Sequence, residues 1–442
     1  MSDAPPSPAA GPAAAPLAYR STRGAPGVVG FAQALLAGLA PDGGLYLPER
    51  LPPLPAGWEA AASVAELARL VLPPFVGEAG AEAVADALGF DMPVVALGDD
   101  FVLELFHGPT AAFKDVGARS LARLMDAALA GAGRRATVLV ATSGDTGSAV
   151  ADAFAGLPHA RVALLYPDGG VSPRQEEQLT VAREGVRAFA VRGSFDDCQR
   201  LVKGAFADPA LAGLGLTSAN SINVGRLLPQ TLYHLWGVAE VRRRLGANVT
   251  PRVVVPSGNL GNLAAGLMAQ SMGLPVAGFV AAHNRNDFFP RFLAGTAAAD
   301  AFAPSVATLS NAMDVGAPSN FERLAALFGA RLPELVTGEA VDDAATLARM
   351  RLTHERFGYL ACPHTAVGLE AAARTRARSA GAGPDLVLAT AHPAKFPEAV
   401  ERATGVTPAT PPALAAAARA PKRVERLAAD GAALRAALLD WG

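Results

Sequence analysis

The stretch Phe106-His-Gly-Pro-Thr-Ala-Ala-Phe-Lys-Asp-Val-Gly117 places a lysine where a Gly-Pro turn gives way to a helix. Apolar residues recur from there at helical spacing, which predicts an amphipathic helix from Ala112 to about Gly131. Lys114 then lies in the first turn, where the helix dipole disfavours an ammonium group. Partial burial beside Phe113 shifts the pKa of a lysine in the same direction. A lysine with a lowered pKa attacks carbonyl groups, so Lys114 is a candidate for forming a Schiff base.

Short apolar runs alternate with amphipathic helices through the rest of the chain, and continuous Val/Leu runs are typical of buried parallel strands. This alternation predicts an α/β fold of two lobes, with twisted, mostly parallel sheets flanked by helices. The predicted strands are 137–141, 161–166, 186–191, 252–255, 276–282 and 385–390. The predicted helices are 148–155, 173–184, 195–207, 225–245, 261–272 and 366–376.

The 442 residues exceed what one hydrophobic core holds, which favours a division into parts. Residues 1–16 are Ala/Pro-rich and are predicted to be a disordered extension. Residues 17–100 form an N-terminal helical cap, with helices predicted at 28–39, 59–71 and 80–88. Residues 101–442 form the α/β region, with a small lobe at about 101–220 and a large lobe in the remainder. Its Ala-rich end, about 407–442, is predicted to be helical.

Composition excludes several classes of protein. The formal net charge of −2 gives no basic field to attract nucleic acid. Cys198 and Cys362 form no CxxC pair, which indicates neither a zinc site nor a disulfide framework. Two unpaired thiols are compatible with a reducing cytoplasm. The N-terminus lacks a secretory signal pattern, and no apolar run is long enough to span a bilayer.

Two loops at strand-to-helix junctions carry polar groups. The first, Ala141-Thr-Ser-Gly-Asp-Thr-Gly-Ser148, combines hydroxyls, one carboxylate and glycines that let backbone N–H groups approach an anion. The second, Val255-Pro-Ser-Gly-Asn-Leu-Gly-Asn262, directly precedes a predicted helix, whose N-terminal amides bind phosphate. Its spacing is neither that of a dinucleotide fingerprint nor that of a Walker motif, and it suits a single phosphate monoester. Each loop read alone is also compatible with a solvated, capped turn.

A third loop, Asn220-Ser-Ile-Asn-Val-Gly-Arg226, brings an arginine to a helix start, where its fork grips phosphate or carboxylate. A capped helix with an arginine in solvent explains it equally well. Two phosphate-suited loops together with Lys114 indicate pyridoxal phosphate and a second phosphorylated molecule.

These motifs together resemble the threonine synthase family, and the match runs in order from about residue 17 onward. The strings that carry it are Glu104-Leu-Phe-His-Gly-Pro-Thr-Ala-Ala-Phe-Lys-Asp115, Ala141-Thr-Ser-Gly-Asp-Thr-Gly147, Ser218-Ala-Asn-Ser-Ile-Asn223, Leu309-Ser-Asn-Ala-Met-Asp-Val315 and Thr390-Ala-His-Pro-Ala-Lys-Phe396.

The resemblance implies a fold-type II pyridoxal phosphate enzyme, similar to the tryptophan synthase β subunit. Its expected reaction turns O-phospho-L-homoserine and water into L-threonine and phosphate. The residues that match the family's functional positions are Lys114 for the Schiff base; Ser257, Gly258, Asn259, Leu260, Gly261 and Asn262 for the cofactor phosphate; Thr390 for the pyridine nitrogen; Asn220, Ser221 and Arg226 for the substrate phosphate; and Thr142, Ser143 and Thr146 for the substrate carboxylate. No metal is expected.

Asp145 departs from the pattern of many fold-type II relatives, which have Asn at the contact to the cofactor's phenolic oxygen. A carboxylate repels a phenolate unless one of them holds a proton, so this contact is open. His107 and Asp115 flank Lys114, and His392 follows Thr390; packing and capping explain all three as well as proton relay does.

Other residues and other functions compete with this interpretation. Lys203 and Lys395 are rival Schiff-base lysines, His364 fits a structural role better, and both cysteines are bystanders. A phospholyase giving a 2-oxo acid needs the same lysine and anion loops. A Rossmann-type oxidoreductase requires a dinucleotide loop that the 258–262 spacing lacks, and a non-catalytic regulator leaves the intact Lys114 unexplained. The oligomeric state, monomer or homodimer, stays open.

Overall fold

Two largely parallel β-sheets with helices packed on them form the core of the chain. The structure is a computed structural model that describes residues 16–142, 144–378 and 383–441. The predicted extension therefore lies, but for Pro16, outside the described residues. The strands are β1 Tyr19–Ser21, β2 Tyr46–Pro48, β3 Val94–Leu97, β4 Asp100–Glu104, β5 Ala136–Ala141, β6 Ala160–Pro167, β7 Val186–Arg192, β8 Leu216–Thr217, β9 Arg252–Pro256, β10 Gly278–His283, β11 Val336–Ala340, β12 Asp385–Ala389 and β13 Glu425–Ala428.

The helices connect these strands and cover both sheets. They are α1 Phe31–Ala37, α2 Val64–Val71, α3 Pro73–Val76, α4 Glu78–Ala87, α5 Lys114–Gly131, α6 Asp145–Phe154, α7 Pro173–Leu179, α8 Phe195–Phe206, α9 Val224–Leu227, α10 Gln230–Leu245, α11 Gly261–Ser271, α12 Phe288–Leu293, α13 Phe321–Phe328, α14 Leu332–Leu335, α15 Asp343–Phe357, α16 Pro363–Ala377, α17 Pro397–Thr404, α18 Pro412–Arg419 and α19 Gly431–Leu439. None of the helices described combines the length and apolarity that a membrane span requires.

The larger sheet has the strand order β11-β10-β9-β12-β4-β3. Its neighbours run parallel except β3 and β4, which form an antiparallel pair at one edge. Its central strands are the buried Val/Leu runs that the sequence predicts, because helices cover both faces.

The smaller sheet has the order β13-β7-β6-β5-β8, and all its neighbours run parallel. The predicted α/β architecture with two parallel sheets is thus confirmed. Three strands lie outside the ranges that a simple split near residue 220 would give them: β3 and β4 belong to the larger sheet, and β13 belongs to the smaller one. The lobe boundaries themselves stay a prediction.

Two predicted elements differ from the structure. The helix predicted over 225–245 is two helices, α9 and α10, with Pro229 at the N-cap of the second. Proline has no N–H to continue the helical bonding pattern, so a new helix begins there. The end predicted to be wholly helical contains the strand β13, because alanine-rich flanks hide the short Glu425–Ala428 pattern.

Candidate active site

The polar loops identified in the sequence follow β5, β8 and β9, and the family string that begins at Thr390 follows β12, all at the carboxyl ends of strands in the two parallel sheets. Ligands of α/β sheets bind at such ends because loops from neighbouring strands converge there. Lys114 starts α5 and joins this group through the loop after β12. Ala112 and Ala391 form an antiparallel bridge, and Phe113 N–H donates to the Thr390 carbonyl at 2.9 Å. The two loops therefore hold Lys114 close to Thr390.

Lys114 is partly buried, and it forms no ion pair with any described carboxylate. Burial lowers the pKa of Lys114 to about 8, the cations Arg226 and Lys395 act in the same direction, and Asp145 opposes them. A larger fraction of this lysine is therefore a neutral amine near pH 7 than for a lysine in solvent. The lowered pKa agrees with the sequence prediction, although nearby cations add to it.

Lys395, the nearest rival of Lys114, is already engaged. Its ammonium lies 2.7 Å from Asp145 Oδ1 and donates to the Thr110 carbonyl at 2.9 Å, with its side chain fully buried. Burial alone would raise the pKa of Asp145, but Lys395 and Lys114 together lower it below its ordinary value. Lys203, the other rival, is exposed on α8. Lys114 is thus the described lysine of the three with the freest amine at this site.

Residues 257–262 form a cradle of backbone donors between β9 and α11. No described residue accepts a hydrogen bond from the backbone N–H groups of residues 258–262. The side chains of Ser257 and Asn262 bind the loop itself, donating to the Val255 and Pro256 carbonyls. Leu260 takes a left-handed conformation with φ 62°, which turns the chain into the helix. Free amides at a helix N-terminus suit a phosphate group.

Gly258 is required by its surroundings and not by its backbone angles. A Cβ at this position would lie 2.9 Å from Met313 Cα and 3.2 Å from Val315 Cγ2. The stretch 309–315, which carried part of the family resemblance, thus packs directly on the cradle.

Arg226 is a buried cation with a donor that the described residues leave unpartnered. Its Nη1 donates to the Ala219 carbonyl at 2.7 Å, while its buried Nε has no partner among the described residues. Burial lowers the pKa of Arg226 to about 10. Asn220 and Ser221, on the same loop, are partly buried. An unpaired guanidinium beside two polar side chains is a fitting site for an anion.

Asn320 joins the two predicted anion loops, a contact that the sequence analysis missed. Its amide donates to the Ser221 carbonyl at 3.4 Å and to the Asn259 carbonyl at 3.1 Å. The fully buried Arg323 donates in turn to Asn320 Oδ1 at 2.6 Å and to the Ile222 carbonyl. Neither residue lies in a glycine-rich or hydroxyl-rich string, so no local sequence signal marks them.

The loop after β5 uses part of its polar groups for its own shape. The Thr142 hydroxyl accepts from the N–H groups of Gly144 at 3.1 Å and Gly147 at 2.9 Å. Thr146 is partly buried, and Ser143 lies outside the described residues. Gln175 Nε2 donates to Asp145 Oδ1 at 3.3 Å, which fixes the carboxylate at the start of α6. The predicted contacts to a substrate carboxylate stay predictions.

The remaining candidates have structural partners. Asp115 accepts from the Thr110 N–H and hydroxyl, and burial raises its pKa to about 6. His107 pairs with Glu104, and His392 accepts from the Ala394 N–H at 3.1 Å. Burial lowers the pKa of His364 to about 4, and its Nε2 accepts from a backbone N–H, so it is neutral at pH 7.

The other expectations concern thiols and metals. Cys198 and Cys362 are buried and unbonded. In the part of the chain that the structure describes, no group of three or more metal-ligating side chains is arranged to hold an ion.

The donor set fits pyridoxal phosphate. The cradle at 258–262 suits its phosphate, Lys114 suits its aldehyde, and Thr390 is joined to the lysine loop through its backbone carbonyl.

Comparisons with known proteins point the same way. The family described as "Pyridoxal-phosphate dependent enzyme" matches residues 98–393, and the families "Threonine synthase N terminus" and "Threonine synthase, C-terminal" match residues 18–87 and 365–438. Threonine synthase of Escherichia coli K12 is 42% identical over 431 residues, covering 93% of this chain and 97% of that protein.

Two solved structures share the fold along nearly the whole chain. The crystal structure of threonine synthase from Escherichia coli superposes with a TM-score of 0.87 at 40% identity, covering 96% of this chain and 100% of that chain. The structure of pyridoxal phosphate-bound threonine synthase from Brucella melitensis gives a TM-score of 0.87 at 36% identity, covering 96% and 98%.

Proposed function

The chain belongs to the threonine synthase family of pyridoxal phosphate-dependent enzymes, and from that premise we propose how its residues carry out the reaction. The protein is a pyridoxal phosphate-dependent lyase that makes threonine. We assign O-phospho-L-homoserine and water as its substrates and L-threonine and phosphate as its products. The observation that carries the assignment is a half-buried lysine of lowered pKa near Arg226, in a chain that also offers a cradle of free N–H groups at residues 258–262.

The proposed roles follow from the contacts of each residue. Gly258, Asn259, Leu260, Gly261 and Asn262 offer backbone N–H groups to the cofactor phosphate, and Ser257 holds that loop. Lys114 would bond the cofactor covalently, the Thr390 hydroxyl would serve the ring nitrogen, and Asp145 would serve the phenolic oxygen.

Bound pyridoxal phosphate supplies an electron sink for the carbanion that forms next to the substrate amine. The Lys114 amine is the proposed general base. Its Nζ takes the α proton and later a β proton, since the lowered pKa leaves it neutral often enough near pH 7.

Substrate binding divides between two loops. Arg226, Ser221 and Asn220 hold the substrate phosphate and stabilise the charge that grows as it leaves. Thr142, Ser143 and Thr146 belong to the loop proposed to face the substrate carboxylate, with Thr142 shaping the turn. The enzyme is proposed to work in the cytoplasm as a monomer or homodimer, in keeping with its two unbonded cysteines.

The first experiment asks which lysine carries the cofactor. Purified protein is expected to absorb visible light, to lose that band on borohydride reduction, and to yield a reduced adduct on the Lys114 peptide. Lys114→Ala is expected to abolish the adduct, whereas Lys203→Ala, on the exposed face of α8, leaves it unchanged. An adduct on Lys395 would overturn the assignment. Release of a 2-oxo acid in place of threonine from O-phospho-L-homoserine would favour the phospholyase alternative.

A further inference from the structure

The ion pair between Lys395 and Asp145 is a second charged feature of the site, distinct from the lysine that bonds the cofactor. Both side chains are almost wholly buried, and their charged atoms lie 2.7 Å apart. Gln175 also donates to the same Asp145 oxygen. The pair connects three segments: the loop after β12, the first residue of α6 and the turn before Lys114, through the Thr110 carbonyl.

Titratable and charged groups of three other elements lie around the pair. Lys114 and Asp115 of α5 and His364 of α16 act on it directly, and Arg226 of α9 acts on Lys114. Asp115 is committed to the Thr110 N–H and hydroxyl, and His364 is neutral at pH 7. Asp115 also acts on Lys395, whereas Asp145 is the described carboxylate that acts on Lys114.

The positions of these charges show which of the two lysines forms the ion pair with Asp145. Lys395 makes the direct contact, and Lys114 feels Asp145 only at longer range. A buried ion pair gains little stability over apolar residues of the same size, which argues for a role beyond holding the fold.

We propose that Lys395 is a positioning residue that forms an ion pair with Asp145. The Lys114 amine is thereby left without a carboxylate partner and is free to bond and release the cofactor. This inference rests on the proposed function of Lys114. It also answers the difficulty of a carboxylate near the phenolic oxygen, because Lys395 neutralises the charge that would repel a phenolate.

Removing the charge of Lys395 and removing the charge of Asp145 are expected to shift the protonation of Lys114 in opposite directions. Without Lys395, a nearby positive charge is lost and Asp145 becomes free to pair with Lys114, so both changes favour its ammonium form. Without the Asp145 charge, Lys395 and Arg226 act unopposed and favour the neutral amine. Removal of both restores the balance, since an ion pair acts on a third group mainly through the difference between its two charges.

The experiment follows the reaction of full-length apoprotein with pyridoxal phosphate, in which the lysine amine and the aldehyde form an imine and release water. The rate at which the visible band appears, measured from pH 6 to 10, gives the pH midpoint of the reacting amine. Lys395→Met is expected to raise this midpoint by about one pH unit or more. Asp145→Asn is expected to lower it, and the double variant to return to within roughly half a unit of wild type.

Controls separate this role from a structural one. Lys395→Arg keeps the charge and is expected to keep the midpoint, and Lys203→Met removes a distant exposed lysine without effect. If the Lys395–Asp145 pair only supported the fold, the single variants would lose thermal stability and every pH midpoint would stay unchanged. That result would overturn the proposal. If Lys395→Met does not fold, the downward shift in Asp145→Asn and its reversal in the double variant decide the question.

Failure of the proposed function would look different. In that case peptide mapping of the reduced wild-type protein would place the cofactor away from Lys114, whatever the midpoints of the variants.

Discussion

Arg226 is a buried guanidinium, and among the described residues one carbonyl, that of Ala219, accepts a hydrogen bond from it. A charge buried in this way is costly unless an anion accompanies it. The part of the chain that the structure describes supplies no such carboxylate, and the loop of Asn220 and Ser221 lies directly before it. The substrate phosphate fills this role in the proposed reaction.

Replacement of Arg226 by alanine is expected to lower kcat/KM on the order of 100-fold, because a donor to the developing phosphate charge is lost. Arg226→Lys is expected to lower kcat/KM less, because it keeps the charge but loses the planar guanidinium that binds two oxygens. Steady-state kinetics with O-phospho-L-homoserine measure both. Arg200→Ala, on the exposed face of α8, is the matched control. Near-normal turnover in Arg226→Ala would refute the phosphate assignment.

The sequence indicated the residues that are candidates to bind cofactor and substrate, but it did not indicate the residues that position them. Lys114, the 257–262 loop and Arg226 were found because glycine, hydroxyl and basic residues cluster locally at strand ends. Asn320, Arg323 and the partner of Lys395 depend on contacts between residues far apart in the chain. No spacing rule reveals that Lys395 pairs with Asp145. The two residues are 250 positions apart in the sequence, although their charged atoms are 2.7 Å apart.

The element that most directly shapes the site is the turn between β9 and α11. Its amides stay free because the first N–H groups of a helix have no acceptor within that helix. Only a glycine fits at position 258, because residues 313–315 pass close to it. The fit of the loop is thus set by a backbone contact that cannot move without displacing the stretch 309–315.

Gly258→Ala is expected to weaken pyridoxal phosphate binding ~10-fold, equivalent to about 1.4 kcal/mol, because the added methyl pushes the cradle away from Met313. Titration of the apoprotein with the cofactor measures the affinity, and a thermal melt without cofactor checks the fold. Gly204→Ala on α8 has open space around its Cβ and serves as the control. Unchanged cofactor affinity in Gly258→Ala would show that the loop does not bind the phosphate.

Regular elements were predictable wherever a strand or helix carries its own apolar pattern. The predicted strands 161–166 and 252–255 match β6 and β9 because each is a continuous buried run. The edge strands were not predicted: β8 has two residues, and β13 and β11 present mixed, partly exposed patterns. Their pairing is decided by neighbours that are distant in sequence, which single-sequence periodicity does not report.

The whole molecule is held together by segments that reach back to distant partners. Arg323 of α13 donates to the Tyr46 carbonyl of β2, and Arg23 pairs with Glu322. The N-terminal region is thereby fixed to the same helix that joins the two anion loops through Asn320. At the other end, β13 and α19 complete the smaller sheet, where Leu434 and Leu438 pack against α8.

Leu434→Ala is expected to destabilise the protein by about 2–5 kcal/mol, because it opens a cavity in the core that α19 shares with the smaller sheet. Leu439→Ala, on the same helix and 47% exposed, is expected to change stability by less than about 0.5 kcal/mol. Urea unfolding of the two variants beside wild type measures the difference. Equal stability of the two variants would mean that α19 does not support the sheet.

The place of β13 in the smaller sheet also fixes the order in which a newly made chain can finish folding. β7 emerges from the ribosome long before β13, so its outer edge has no partner while most of the larger sheet is still being synthesised. During that interval the nascent chain presents an open parallel edge, the kind of surface that other growing chains can join. This edge of β7 is therefore covered only after β13 has been synthesised and pairs with it.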